Sequence, residues 1–197
     1  PAQAREMTGV REILELGAVI PVITIQREAD AVPLAKALLA GGLRVLEVTL
    51  RTPAGLESIR QIRAACPTAV VGAGTIVTAE DAVAAKESGA QFLVTPGSPP
   101  PLLDAALATG VPLLPGVATP TEVLAVAGRG LTVMKLFPAE VVGGMRMLAA
   151  LAGPLPGVLF CPTGGITPDN AAGYLALPNV VCVGGSWMVP QSLVDAG

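Results

Sequence analysis

The chain has 197 residues, twelve basic against fifteen acidic for a net charge of −3, 52% hydrophobic and 3% aromatic side chains, and no histidine. That length suits one domain over 1–197, that hydrophobicity excludes wholesale disorder, and that charge leaves no global basic footprint for nucleic acid. The missing histidine excludes Ser-His-Asp and Cys-His catalysis, a histidine general base and His-ligated zinc.

Residues 8–16 place Val10, Ile13, Leu14 and Leu16 at helical spacing, which predicts an extra N-terminal helix over one end of the fold. The first β-branched run is 19–24, followed by a helix with Asp30 at its start, Pro33 in its first turn and Gly41-Gly42 at its end. Runs 45–50 and 70–75 follow, then 92–96 and 112–117, then 133–137, 158–163 and 180–185. Near-continuous apolar runs read as strands buried on both faces, the parallel-sheet pattern. Thr52-Pro53, Ser98-Pro99, Thr119-Pro120 and Thr167-Pro168 each follow a run and pair an N-cap hydroxyl with a proline at the first helical position. Thr119-Pro120-Thr121-Glu122 completes a capping box, and Gly89, Gly110 and Gly128 stand where helices should stop.

Strand ends fall near Thr24, Leu50, Thr75, Pro96, Val117, Pro138, Gly164 and Ser186, at a pitch of 21 to 26 residues. Eight βα units at that pitch predict an α/β fold of the (β/α)8 TIM-barrel type rather than an open sheet. About ten residues follow the last strand, so a truncated or absent C-terminal helix is expected.

A charged side chain inside an apolar strand is expensive unless it is used. Lys36 and Lys86 fall on predicted helices, but Lys135 falls in the sixth strand, and Glu47 is the one carboxylate inside a strand. Alternation puts Val133 and Phe137 on the face of Lys135, and Val45, Thr49 and Arg51 on the face of Glu47. Strands two and six of eight lie opposite each other, so both groups can converge on one cavity. They could form a structural ion pair that plugs the barrel. Alternatively, an apolar wall disfavours the ammonium form of Lys135. A neutral amine attacks a ketone to give a Schiff base, and the protonated imine lets a neighbouring C–C bond break. Glu47 would then be the acid/base group.

The strand ends supply further candidates. Arg51 offers a planar fork for a carboxylate, or a plain surface charge. Thr75 closes Gly72-Ala73-Gly74, whose glycines either admit a ligand or relieve crowding. Thr163-Gly164-Gly165 and Gly184-Gly185-Ser186 end strands seven and eight, where such barrels recurrently bind phosphate. Neither a dinucleotide fingerprint nor a P-loop is present, and no cluster of acids suggests magnesium.

The stretches Val45-Leu46-Glu47-Val48-Thr49-Leu50-Arg51-Thr52, Val71-Gly72-Ala73-Gly74-Thr75, Lys135-Leu136-Phe137-Pro138-Ala139-Glu140, Phe160-Cys161-Pro162-Thr163-Gly164-Gly165-Ile166 and Gly184-Gly185-Ser186-Trp187 closely resemble the 2-keto-3-deoxy-6-phosphogluconate (KDPG) aldolase family, including members that cleave 4-hydroxy-2-oxoglutarate. The resemblance implies a trimeric class I aldolase needing no metal or cofactor. It implies reversible cleavage of a phosphorylated 2-keto acid to pyruvate and glyceraldehyde 3-phosphate. It puts the Schiff-base lysine at Lys135 and the acid/base group at Glu47. Carboxylate contacts fall on Arg51 and Thr75, pocket walls on Pro96 and Thr163, and phosphate contacts on Gly164, Gly165, Gly185 and Ser186. Leu136, where members often carry Phe, and the proline-rich Ser98-Pro99-Pro100-Pro101 depart from the family pattern.

Two readings compete with this one: a scaffold kept for its surfaces, and a phosphosugar isomerase or epimerase working with a carboxylate or a metal-bound base. Cys66, Cys161 and Cys182 are odd in number and have no C-x-x-C spacing, which fits a reducing compartment. The Pro1–Glu6 segment lacks the layout of a signal peptide, and no apolar run reaches the ~18 residues of a membrane span. The expectation is a cytoplasmic protein with a small-molecule partner and neither membrane nor nucleic acid.

Overall fold

The computed structural model describes residues 9–196. Thr8, where the first helix was expected to begin, and the Pro1–Glu6 segment lie outside them. The strands are β1 (Val19–Ile23), β2 (Val45–Thr49), β3 (Val70–Gly74), β4 (Leu93–Val94), β5 (Leu113–Leu114), β6 (Gly116–Val117), β7 (Val133–Leu136), β8 (Leu159–Pro162) and β9 (Val183–Gly185). The helices are α1 (Val10–Leu14), α2 (Ala31–Ala40), α3 (Gly55–Ala65), α4 (Ala79–Glu87), α5 (Pro100–Ala108), α6 (Pro120–Ala127), α7 (Gly144–Ala152), α8 (Pro168–Leu175) and α9 (Gln191–Ala196). The final helix thus forms, over six residues.

The strand pairings are parallel. Six strands run in the order β5-β4-β3-β2-β1-β9 and three in the order β6-β7-β8. Parallel bridges Phe160↔Val180 and Thr163↔Gly184 link β8 to the β9 segment. The predicted fifth run is two short strands, because Pro115 has no N–H to give a ladder. Leu113 and Leu114 pair with β4, while Gly116 and Val117 pair with β7. The fourth and eighth runs contract to Leu93–Val94 and Val183–Gly185.

Two of the expected caps are different in the fold. α3 begins at Gly55, and Thr52 Oγ1 donates to Ile25 O. Pro99 itself precedes α5, and Ser98 Oγ donates to Gly116 O at 2.9 Å. Each hydroxyl finds its acceptor on a neighbouring strand end instead of its own helix. The Thr119 box forms as expected: Thr119 Oγ1 accepts from Glu122 N–H, and Glu122 Oε2 accepts from Thr119 N–H at 2.9 Å. At α8, Asn170 Oδ1 accepts from Thr167 N–H at 2.8 Å. A further box, unread in the sequence, starts α4, where Thr78 and Asp81 exchange the same two bonds.

Side-chain alternation sorts the apolar residues into two clusters. Leu46, Val48, Met134 and Leu136 pack with the buried faces of the helices, including Ile59, Ile62, Val126 and Leu148. Val45 and Val133, one step out of phase, pack with Ile20, Phe92, Val94, Leu114, Cys161 and Cys182 on the other face of the curled sheet. Ile13 and Leu14 of α1 close that second cluster. Two residues further along β2 and β7, on the same face, stand Glu47 and Lys135.

Candidate active site

Lys135 and Glu47 are 4% and 3% exposed. Nζ of Lys135 donates to Oε1 of Glu47 at 3.3 Å, a buried ion pair between strands β7 and β2. The ammonium also lies 5.2 Å from the centre of the Phe137 ring, within cation–π range. Beneath the pair, the Cys182 thiol is held well above its usual range, first by its hydrogen bond with Cys161, then by burial and the Glu47 charge. Cys182 therefore stands in the floor of the site as a protonated, unreactive thiol.

The two glycines of β3 on this face make the room. A side chain at Gly72 would strike the Phe92 ring, and one at Gly74 would strike the Glu47 carboxylate. They are there to admit neighbours of this chain. Thr75 follows with φ 61°, the one non-glycine positive φ among the described residues. A β-branched residue in that region costs ~1–3 kcal/mol and persists only where its surroundings impose it. Here Leu50 N–H donates to Gly74 O at 2.9 Å and Ile76 N–H to Val94 O at 3.1 Å, clamping both flanks. The strain turns Thr75 Oγ1 to accept from Arg51 Nε at 3.1 Å. Arg51 is otherwise exposed.

Thr163 is 6% exposed, and its hydroxyl occupies the space that a side chain on Gly184 would take. The Thr163↔Gly184 bridge brings Gly164 and Gly165 beside Gly185 and Ser186. Gly164 and Gly165 have φ of 97° and 81°, which L side chains rarely adopt. Pro96 is half-buried, and its carbonyl lies against Gly116. Among the described residues, no hydrogen bond or ion pair joins Arg51 and Thr75, Pro96 or Ser186 directly to the Lys135–Glu47 pair. They stand at strand ends around it.

Two supports escaped the sequence reading. Thr49 Oγ1 donates to Ile23 O at 3.1 Å and lies 3.0 Å from Thr24 Oγ1, tying β2 to β1 just beyond Glu47. Thr95 Oγ1 accepts from Gly116 N–H at 3.0 Å. Buried threonines on the inward phase of a strand end are the signal that marks both.

A parallel α/β sheet sets an amine against a carboxylate inside its curl, with glycine loops at the strand ends, the arrangement of an α/β enzyme site. The sequence profile described as "Aldolase: KDPG and KHG aldolase" matches residues 10–197, and the chain belongs to that family. It is an aldolase, a carbon–carbon lyase. It is 52% identical over 179 residues to the 2-dehydro-3-deoxy-phosphogluconate aldolase of Pseudomonas aeruginosa, covering 91% of this chain and 81% of that one. It is 49% identical over 190 residues to the KHG/KDPG aldolase of Escherichia coli K12, covering 96% and 89%. The KDPG aldolase of Legionella pneumophila, solved with pyruvate captured as a covalent carbinolamine intermediate, superimposes with a TM-score of 0.92 at 44% identity, over 94% of this chain and 90% of that one.

Proposed function

We propose that this enzyme cleaves 2-keto-3-deoxy-6-phosphogluconate to pyruvate and glyceraldehyde 3-phosphate, and 4-hydroxy-2-oxoglutarate to pyruvate and glyoxylate, through a Schiff base on Lys135. The observation that carries this reading is the 3.3 Å contact between Lys135 Nζ and Glu47 Oε1 in a buried setting. At that distance Glu47 can take the ammonium proton and release a neutral amine. The amine attacks C2 of the keto acid, and loss of water gives the protonated imine. Glu47, acting through a water, then removes the C4 hydroxyl proton. The C3–C4 bond breaks, its electrons pass into the imine, and the aldehyde departs. Protonation of the enamine and hydrolysis return pyruvate and the free amine.

Arg51 and Thr75 hold the carboxylate of the keto acid, with the Arg51 fork free on its outer edge. Pro96 and Thr163 wall the pocket, and Gly164, Gly165, Gly185 and Ser186 take the phosphate. The names of the Pseudomonas, Escherichia and Legionella relatives support the substrates. The eight-pitch repeat and the bridges from β8 to the β9 segment support a full (β/α)8 barrel with α1 over one end. Exposed Val77, Val83, Leu124 and Val141 offer apolar surface for a homotrimer. Three free, buried cysteines suit a cytoplasmic setting. Borohydride with pyruvate tests the chemistry: Lys135 should gain a stable pyruvyl adduct by mass, and Lys135→Ala should gain none. An unmodified Lys135 in the wild type overturns the reading.

A further inference from the structure

The loop read as the phosphate cradle is fastened from behind by one hydrogen bond that the reaction does not use. Tyr174 is the chain's single tyrosine, fully buried on α8, the helix that follows the loop. Its hydroxyl donates to Oε1 of Glu140, on the turn after β7. Glu140 in turn grips the loop. Its N–H donates to Gly164 O at 3.1 Å, beside the 2.8 Å bond from Ala139 N–H to Thr163 O. A Cβ built on Gly165 would stand 2.5 Å from Glu140 Cγ, so the stem of this side chain lies against the loop backbone. On the other flank, Asn170 Nδ2 donates to Gly165 O at 3.0 Å.

Two consecutive glycines have the greatest backbone freedom available to a chain. Their N–H groups have no acceptor among the described residues, so they can hold an anion only while their carbonyls and flanks are fixed. The same bond governs a charge. Glu140 is exposed, and a loose carboxylate beside the loop would repel a phosphate dianion. The Tyr174 hydroxyl draws Oε1 toward Gly144, whose Cβ would lie 3.1 Å from it.

We propose that the Tyr174–Glu140 hydrogen bond is a positioning device for the Gly164-Gly165 loop, and that it sets how strongly the site favours phosphorylated over unphosphorylated 2-keto acids. The proposal rests on the phosphate reading of that loop. Tyr174 and Glu140 touch no reacting atom.

The test combines two readouts. Inorganic phosphate is titrated by calorimetry into wild type, Tyr174→Phe, Glu140→Gln and Glu140→Ala. The same proteins are assayed with KDPG and with 4-hydroxy-2-oxoglutarate, which has no phosphate. Loss of this bond should weaken phosphate binding about tenfold in Tyr174→Phe, which frees the carboxylate beside the loop, and about threefold in Glu140→Ala, which loses the tether together with the repelling charge. KM for KDPG should rise by the same factors, about tenfold in Tyr174→Phe and about threefold in Glu140→Ala, with kcat and the KM for 4-hydroxy-2-oxoglutarate within about twofold. Glu140→Gln keeps an acceptor oxygen and should stay within about threefold of wild type. Should Tyr174→Phe fail to fold, Glu140→Ala removes the same bond from the solvent side. Unchanged phosphate affinity in the folded variants overturns the proposal, as does an equal KM rise for both acids or a wild type that binds no phosphate. A wild type that cleaves neither acid would sink the aldolase reading separately, while the phosphate titration still decides the positioning role.

Discussion

Lys135 and Glu47 neutralise one another inside an apolar curl, so removing either leaves a charge without a partner. Breaking such a pair costs ~3–5 kcal/mol, whereas replacing both members with apolar groups is often neutral. Lys135→Met should therefore unfold at lower urea, and Lys135→Met/Glu47→Leu should recover most of the loss while staying inactive. That outcome would separate catalysis from the alternative of a structural plug: a plug would be kept for stability, and recovery in the double variant would show that stability does not require the pair. Thr75 poses the opposite trade. Glycine there relieves strain of ~1–3 kcal/mol against an extra unfolded-state entropy of ~0.5–1 kcal/mol. Thr75→Gly should match or exceed wild type in thermal stability. It should also raise KM for the keto acid, because Arg51 loses the hydroxyl that orients it. A stability loss would show that the φ of 61° carries no strain.

At the scale of elements, the site depends on how helices and strand ends are fastened to one another. Tyr174 on α8 and Glu140 after β7 are one such fastening. Burial, then the hydrogen bond to Glu140 and its negative charge, hold the Tyr174 phenol far above its usual range. An unfolded chain loses this proton from about pH 10 upward, while the folded chain keeps it. The stability contribution is therefore complete below about pH 10 and is lost as pH rises above it. Thermal unfolding between about pH 9 and 11 should lower Tm more steeply in wild type than in Tyr174→Phe, and parallel slopes would contradict the assignment. The caps belong to this scale too. The Thr119 box was legible because its donor and acceptor are three residues apart on one helix. Thr52 and Ser98 carried the same local pattern, yet their hydroxyls bond Ile25 O and Gly116 O, partners that adjoin only once the sheet has formed.

The whole molecule separates its apolar residues by strand phase into a layer under the helices and a second cluster closed by α1. With 52% hydrophobic residues, some apolar side chains remain outside: Val141 is 83% exposed, Leu124 58% and Val77 54%. Association through such surface should appear in sedimentation equilibrium as a species of three times the 19.7 kDa chain mass. A mass of one chain at micromolar concentration would refute the homotrimer.

What could be read directly from the residues was whatever follows from local period and composition. The parallel α/β repeat, the lone strand lysine and the lone strand carboxylate are of this kind, because apolar runs and a charge within them are visible one residue at a time. Folding alone decided what depends on pairs far apart in the chain. Only the sheet brings residue 135 to 3.3 Å from residue 47. Gly72 and Gly74 prove to be spaces for Phe92 and Glu47 rather than for a ligand. Thr75 is strained because strands on either side hold its neighbours. Hydrogen bonds and steric exclusion act over a few ångströms in space without regard to sequence distance, so these features had no local signature.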